Sequence, residues 1–306
     1  MLRIPRPALT LLAGIMIVAV GACSSASSTP LMAGSSAAPA ASGAAASVAA
    51  NPNDPNAILS AAISGGSAIK SFHLKLEVAG TIKKEILQSE GGSSGKMFTS
   101  DVKLDGTSLE GDVDLANSAA HLVLTVAPLA MLGNVPINGD VILQGGALYY
   151  KVSMLGPKYT KMDLGSLSSL AGGLPVAVPT PGASAMNVTD ELNKLKAQMD
   201  AAGVKVTLVG VDSIGGQDAN HLNVSLPLDT INTQIAAQAS GGPAMKIDSA
   251  SIDVWIYKAN AQLAKVEVKG ASSSIGNIDL TLTVTAYDVP VTVTAPAAGD
   301  VNPTTP

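Results

Sequence analysis

The sequence predicts a mainly β protein of the α+β class, with a single curved antiparallel sheet of about ten or eleven strands and a few helices. Three observations lead to this fold class. Apolar and polar side chains alternate with a period of two through most segments after residue 71, as in strands with one buried and one solvated face. Turn-forming Gly-Gly and Lys-Ala-Asn strings separate these segments. A sheet this wide curls or closes, so its apolar face must be covered by helices, by another layer or by a ligand.

The first predicted element is a short helix that begins at Pro55. Asp54 precedes it as an N-cap, and proline is tolerated at the first helical position because its missing N–H would have no partner there. Ile58 and Ala62 follow at helical spacing, and Gly65 is expected to end the helix.

Strands dominate the chain from residue 71 onwards. Five segments show the alternation most clearly, and aliphatic side chains occupy one face of each. They are residues 121–126, 148–154, 252–257, 264–269 and 278–287. The polar positions carry Asp, Lys, His and Thr, so we expect one face of the sheet to be solvated.

Two further helices interrupt the strands. The first covers residues 190–202, capped by Asn187 or Thr189 and ended by Gly203, and the second covers residues 228–239. Their apolar stripes comprise Leu192, Leu195 and Met199 in the first, and Leu228, Ile231 and Ile235 in the second. The Pro/Ala-rich insertion at 171–185 is too long for a hairpin and predicts a surface loop.

The composition of the apolar face leaves two interpretations open. Aromatic residues make up only 3% of the chain, and small and medium aliphatic residues supply most of its apolar side chains. A wide sheet lined by such side chains could enclose an apolar cavity, or it could pack into a tight core. Composition favours neither.

The N-terminus has the layout of an export signal. Arg3 and Arg6 precede an apolar stretch over residues 8–20, which is shorter than the about 20 residues that span a bilayer as a helix. Residues 20–23, Val-Gly-Ala-Cys, resemble the bacterial lipobox, in which the cysteine receives a diacylglyceryl group and becomes the mature N-terminus. Cys23 is the one cysteine of the chain. Residues 1–22 are therefore predicted to be a lipoprotein signal peptide; an ordinary signal with an incidental cysteine is the alternative.

Composition divides the rest of the chain into three parts. Residues 23–54 are rich in Ala, Ser, Gly and Pro and are predicted to be a disordered tether, which at this length would extend roughly 30 Å. Residues 55–296 form one domain, and residues 297–306 are predicted to be a disordered tail. The tether would let the domain stand away from the membrane.

No motif for catalysis, metal binding or a cofactor emerges. His73, His121 and His221 lie far apart on predicted strands and are expected to be exposed. Residues 91–95, Gly-Gly-Ser-Ser-Gly, match the nucleophile-elbow pattern but lack its strand and helix context, which favours a hairpin loop. The densest acidic group is expected to lie on solvated strands; it comprises Asp101, Asp105, Asp112 and Asp114.

A net charge of −5 without a basic patch argues against nucleic acid as a partner. The chain is therefore not expected to be an enzyme.

Several strings, in this order and spacing, resemble the LppX/LprA/LprF/LprG family of actinobacterial lipoproteins. They are VPINGD at 135–140, GALY at 146–149, IGGQDA at 214–219, VWI at 254–256, QLA at 262–264, LTL at 280–282 and PVTV at 290–293. The resemblance covers about residues 55–296, together with the lipobox. It implies a U-shaped antiparallel half-barrel, similar to the LolA/LolB carriers, with helices over the concave face.

The resemblance also implies a function. Members of the family bind acylated lipids and glycolipids in an apolar cavity and move them through the cell envelope. We therefore expect a lipoprotein anchored outside the cytoplasm through acylated Cys23, with a membrane transporter as a candidate partner. The alternative is a tethered structural or interaction module without a lipid ligand, which would use exposed aromatic residues such as Trp255 and Tyr257.

The cavity lining is predicted from the apolar stripes. The strand residues expected to line it are Leu122, Leu124, Ile137, Val141, Leu143, Leu148, Tyr150, Val254, Ile256, Val266, Leu280 and Leu282. Those expected to close it from the helices are Leu192, Leu195, Met199, Ile231 and Ile235.

Overall fold

A computed structural model describes most of the predicted domain. The described residues are 53–66, 68–90, 98–128, 135–163, 201–238 and 246–302. The predicted signal peptide, Cys23, nearly all of the tether, the loop at 171–185 and the helix at 190–202, except its last two residues, lie outside these ranges. Leu192, Leu195 and Met199 are therefore outside the described residues as well.

In the described residues, twelve strands form one antiparallel sheet. They are β1 (Ser71–Ile82), β2 (Val102–Lys103), β3 (Thr107–Asp114), β4 (Ala119–Val126), β5 (Ile137–Gln144), β6 (Ala147–Val152), β7 (Thr160–Asp163), β8 (Lys205–Ile214), β9 (Gln217–Ser225), β10 (Ser249–Tyr257), β11 (Leu263–Ser272) and β12 (Gly276–Tyr287). Along the sheet their order is β7-β6-β5-β4-β3-β1-β12-β11-β10-β9-β8, and β2 pairs with β1 outside this path. The sheet is open, with β7 and β8 at its two ends. The predicted fold class is thus confirmed.

Three α-helices and one short 3₁₀ helix accompany the sheet in the described part of the chain. They are α1 (Pro55–Gly66), α2 (Lys84–Glu90), α3 (Leu228–Gln238) and η1 (Ala298–Asp300). The Asp54 carboxylate caps α1 as predicted, because its Oδ1 accepts the N–H of Asn56 at 2.9 Å. The predicted helix at 228–239 is confirmed to within one residue. Helix α2 has no counterpart in the prediction.

The register of the strands places the apolar stripes on one continuous face, here called the inner face. Leu76 of β1 lies between Leu282 of β12 and Leu109 of β3. Leu109 in turn lies opposite Leu124 of β4. Directly opposed residues of antiparallel strands share a face, so such rows carry aliphatic side chains across many strands.

The core lies where α1 packs on the inner face at the β8–β10 end of the sheet. Ile58 of α1 is only 2% exposed, and it clusters with the fully buried Leu222 of β9 and Ile256 of β10. Val206 and Leu208 of β8 pack against the same cluster. The helix that covers this part of the inner face is therefore the one at 55–66.

The chain after β12, here called the C-terminal segment (residues 288–302), crosses the opposite or outer face. Ser71 at the start of β1 donates from Oγ to the carbonyl of Val289 at 2.6 Å. Gln144 at the end of β5 donates from Nε2 to the carbonyl of Val293 at 2.9 Å. Ile142, one of the apolar side chains on this face, is buried.

The C-terminal segment ends beside the β7 edge of the sheet. Tyr159 donates its N–H to the carbonyl of Asp300, and Asn302 donates its N–H to the carbonyl of Tyr159, both at 2.8 Å. Residues 297–302, which were predicted to belong to a disordered tail, are thus hydrogen-bonded to the domain. The sequence pattern missed this because the partner lies far away in the chain.

Candidate functional site

The inner face brings together all twelve strand residues that were predicted to line a cavity. Leu122, Val141 and Tyr150 form one row across β4, β5 and β6. Val254, Val266 and Leu282 form another row across β10, β11 and β12. The remaining six occupy the same face; they are Leu124, Ile137, Leu143, Leu148, Ile256 and Leu280.

Two regions of the inner face differ in how far they are buried. Beneath α1, Leu222 and Ile256 have almost no contact with solvent. Across β3–β6, the second to fifth strands from the β7 edge, the large side chains remain partly exposed. We call this second area the open region; it comprises Leu109, Leu122, Leu124, Val141, Leu143, Leu148 and Tyr150. Ile256 and Val254 belong to the core under α1 instead.

Charge is segregated between the two faces. In the described strands, the inner face carries no Asp, Glu, Lys, Arg or His apart from Asp218 in the exposed β8–β9 hairpin. The open region is thus an uncharged aliphatic surface with a single polar atom, the hydroxyl of Tyr150. Such a surface can bind alkyl chains, and Tyr150 contributes its one ionisable group.

Two contributions to this face were missed by the sequence analysis. Leu74 and Leu76 of β1 and Leu109 of β3 lie in the middle of the inner face. Their period-two pattern is visible in the sequence, but only strand order shows that β1 lies at the centre. The second contribution is Ile58 of α1, whose helical stripe gives no indication of the strands that it contacts.

Helix α3 carries two of the predicted closing residues, Ile231 and Ile235. Both are partly exposed. Asn232 ties the helix to the segment that precedes β10, because its side chain accepts the N–H of Ile247 at 2.8 Å and donates to the Ile247 carbonyl at 2.9 Å. The role of Ile231 and Ile235 in closing a cavity remains a prediction.

The outer face holds the three histidines, each beside a carboxylate of a neighbouring strand. His73 Nδ1 lies 2.8 Å from Asp112 Oδ1. The hydrogen bond to Asp112 raises the pKa of His73 above its ordinary value, and partial burial opposes this only in part. His121 Nε2 lies 2.9 Å from Asp140 Oδ1, which shows that these histidines have cross-strand partners.

The third histidine belongs to a cluster that buries Trp255. The rings of His221 and Trp255 stack at 4.4 Å, and the Trp255 indole donates to Asp212 Oδ2 at 2.8 Å. The Lys265 ammonium lies 4.6 Å from the Trp255 ring centroid. Trp255 is therefore only 7% exposed, and Tyr257 is buried beside it. The aromatic pair is covered by side chains of the sheet and is not an exposed partner surface.

Asp253 completes this cluster beneath His221. His221 Nε2 lies 3.0 Å from Asp253 Oδ1, and the side-chain amide of Asn223 donates to the same oxygen at 2.9 Å. Burial favours a higher pKa for Asp253, but the hydrogen bonds from Asn223 and His221 outweigh it and lower the pKa. The hydrogen bonds of this network join β8, β9 and β10, and Lys265 adds a contact from β11.

The acidic group at 101–114 has structural roles. Asp105 accepts the N–H of Gly80, and Asp101 accepts the N–H of Lys84 at the start of α2, both at 3.0 Å. Asp114 accepts the N–H of Asn117 in the β3–β4 turn. Among the described residues, no group of His, Cys, Asp and Glu has the arrangement of a metal site. Nor does any described helix have the length and apolarity to cross a membrane.

Comparison with known proteins finds similarity in solved structures. No protein-family description and no curated protein matches the chain. The lipoprotein LppX of Mycobacterium tuberculosis is 17% identical, with a TM-score of 0.43 over 79% of this chain and 100% of LppX. LprF of Mycobacterium bovis is 16% identical, with a TM-score of 0.42 over 80% of this chain and 98% of LprF. A LolA superfamily protein of Nitrosomonas europaea is 10% identical, with a TM-score of 0.20 over 77% of this chain and 94% of that protein.

LppX and LprF are two of the proteins that the sequence strings resemble. The chain is similar to these two lipoproteins over most of its length.

Proposed function

We propose that this protein is a membrane-anchored lipoprotein outside the cytoplasm, which binds acylated lipid or glycolipid against the open region and carries or presents it in the cell envelope. The proposal concerns binding, and no reaction is part of it. One observation carries it, namely the uncharged and partly exposed aliphatic surface of β3–β6 inside a wide sheet.

The physical basis is the cost of leaving this surface in water. Burying apolar surface contributes about 25 cal/mol per Å², and an acyl chain on the open region removes both its own surface and that of the protein from water. The neighbouring core under α1 shows the same kind of strand surface when a helix covers it. In the open region, acyl chains would cover the aliphatic side chains as Ile58 of α1 covers those of the neighbouring core.

The proposed site includes the predicted closing residues. Leu192, Leu195, Met199, Ile231 and Ile235 are expected to contact the acyl chains from the helical side. Cys23 would hold the protein at the membrane through its lipid, and a membrane transporter would deliver or accept the cargo.

The test replaces one valine on each face by tryptophan. Val141 lies in the open region, whereas Val123 of the adjacent strand is exposed on the outer face. The full chain is purified from membranes of its host in mild detergent, and non-covalently bound lipid is extracted and identified by mass spectrometry. We expect wild type and Val123→Trp to retain acylated lipid, and Val141→Trp to retain about tenfold less because the indole fills the site.

Circular dichroism must show that both variants are folded. Equal lipid content in Val141→Trp and Val123→Trp would contradict the placement of the site. Lipid-free protein in all three preparations, with no uptake of a fluorescent phospholipid, would favour the tethered interaction module.

A further inference from the structure

An exposed apolar cluster lies at one end of the sheet, where β5 begins and β6 ends. We call it the tip; it consists of Val135, Pro136, Met154, Leu155 and Lys158. Two hydrogen bonds join the start of β5 to the chain that follows β6. Asn138 donates its N–H to Ser153 Oγ at 3.1 Å, and Ser153 donates its N–H to the Asn138 carbonyl at 2.8 Å. The cluster is therefore a built feature of the sheet end.

The apolar side chains of the tip are unusually exposed. Leu155 is 76% exposed, Val135 60% and Met154 56%. Leu155 is held in a turn by its N–H, which donates to the Val152 carbonyl at 2.9 Å. Adjacent exposed apolar side chains are typical of a surface that interacts with a protein or a membrane.

Two exposed lysines lie at or beside the tip. Lys158 follows the apolar residues and Lys161 is the second residue of β7, and both are exposed. Residues 153–162 contain no Asp or Glu; the acids that lie nearby include Asp163 at the end of β7 and Asp300, whose carbonyl accepts the N–H of Tyr159. Apolar side chains flanked by lysines complement an anionic bilayer, because the lysines reach the headgroups while the apolar groups enter the interface.

The tip is also continuous with the inner face. Ile137 at the start of β5 is paired with Val126 at the end of β4, and Val152 ends β6 on the same face. No charged side chain lies on the inner face between these residues and the described open region. An acyl chain could therefore pass from the tip to the open region without crossing a charged group.

We propose that the tip contacts the surface of an anionic phospholipid bilayer and that acyl chains pass across it to and from the inner face. This inference rests on the proposed function and adds the place where cargo is exchanged. The bilayer is preferred over a protein partner because apolar exposure, exposed lysines and continuity with the inner face coincide at the tip.

The first experiment measures contact with the bilayer. Cys23 is the one native cysteine and would be acylated, so an introduced cysteine can be labelled alone. The sites are Val135→Cys and the control Val209→Cys on β8, two valines that are each 60% exposed. The full lipidated chain is labelled with a fluorophore at the introduced cysteine and anchored in vesicles of phosphatidylcholine and phosphatidylglycerol. The acyl chains of these lipids are brominated and quench a fluorophore that enters the bilayer. We expect quenching at 135 and none at 209, and weaker quenching without phosphatidylglycerol.

The second experiment measures exchange. Leu155→Asp is compared with Val209→Asp for the rate at which the anchored protein takes up a fluorescent phospholipid from the vesicle. Burying a leucine-sized side chain contributes enough free energy that its loss should slow uptake by about tenfold or more. The final amount of bound lipid should match wild type for both variants.

The outcomes separate this inference from the proposed function. If wild type binds lipid, but position 135 is not quenched and Leu155→Asp loads at the wild-type rate, the tip has no role in exchange and the proposed function stands. If wild type binds no lipid, the proposed function fails, and passage of acyl chains at the tip fails with it even if position 135 is quenched.

Discussion

At the scale of single residues, Gly111 shows how closely the central strands approach one another. It lies in β3 between Leu74 of β1 and Leu122 of β4, with a φ of 156°. A Cβ at this position would lie 2.0 Å from the carbonyl oxygen of His121, far inside contact distance. The apolar pattern of β3 tolerates alanine here, but the backbone of β4 does not.

Gly111→Ala is therefore expected to destabilise the fold by about 1–3 kcal/mol or more, because the backbone must shift to relieve the clash. The matched control is Gly270→Ala in β11, where a Cβ would meet nothing within 4 Å. That substitution should be neutral or stabilise by up to about 1 kcal/mol. Urea unfolding followed by circular dichroism gives both values, and equal losses in the two variants would contradict this account.

At the scale of elements, α1 is the helix with a defined place on the inner face. Its start could be predicted from Asp54 and Pro55, since N-capping is a local effect. Its position against β8–β10 could not be predicted, because the apolar stripe that contains Ile58 could pack on many apolar surfaces. Helix α2 was missed for a related reason. The N–H of Lys84 at its start donates to Asp101, which lies in a separate part of the chain and so gives no local capping pattern.

Ile58→Ala should cost about 2–5 kcal/mol of unfolding free energy, because it leaves a cavity between α1 and the fully buried Leu222 and Ile256. Val211→Ala on β8, where the valine is exposed, should change it by no more than about 0.5 kcal/mol. Denaturant titration of both variants measures the difference. A small effect at Ile58 would mean that α1 contributes little to the fold and that the covered region resembles the open one.

At the scale of the whole molecule, the two faces of the sheet have different tasks. The outer face carries the charged side chains and histidine–carboxylate pairs, and the C-terminal segment crosses it from β1 to Tyr159. The inner face is left to α1 at one end and to the open region beyond it. Under the proposed function, this division would let the sheet stabilise itself on one side and hold a ligand on the other.

The proposed anchor belongs to this scale, since it determines where the domain works. Cys23→Ser should release the protein from the membrane fraction or leave it unprocessed, whereas Ser24→Ala should leave membrane attachment unchanged. Mass spectrometry of the wild-type N-terminus should show an acylated Cys23. An unmodified N-terminus that begins elsewhere would exclude the anchor, though not the binding of lipid by the domain.

The sequence by itself determined the features that depend on near neighbours. The period of two predicted the strands and their apolar faces, so all twelve predicted strand residues of the lining lie on one face. Capping residues predicted the start of α1, and the helical spacing of Leu228, Ile231 and Ile235 predicted α3, for the same reason. Only the tertiary structure decided which strands are adjacent, where α1 packs and how far the C-terminal segment continues. These depend on pairing between distant segments, such as β1 with β12, and on contacts such as Ser71 with Val289. Alternation along one strand identifies a buried face but carries no information about its neighbours, so the open region and the tip became visible only once the strands were assembled.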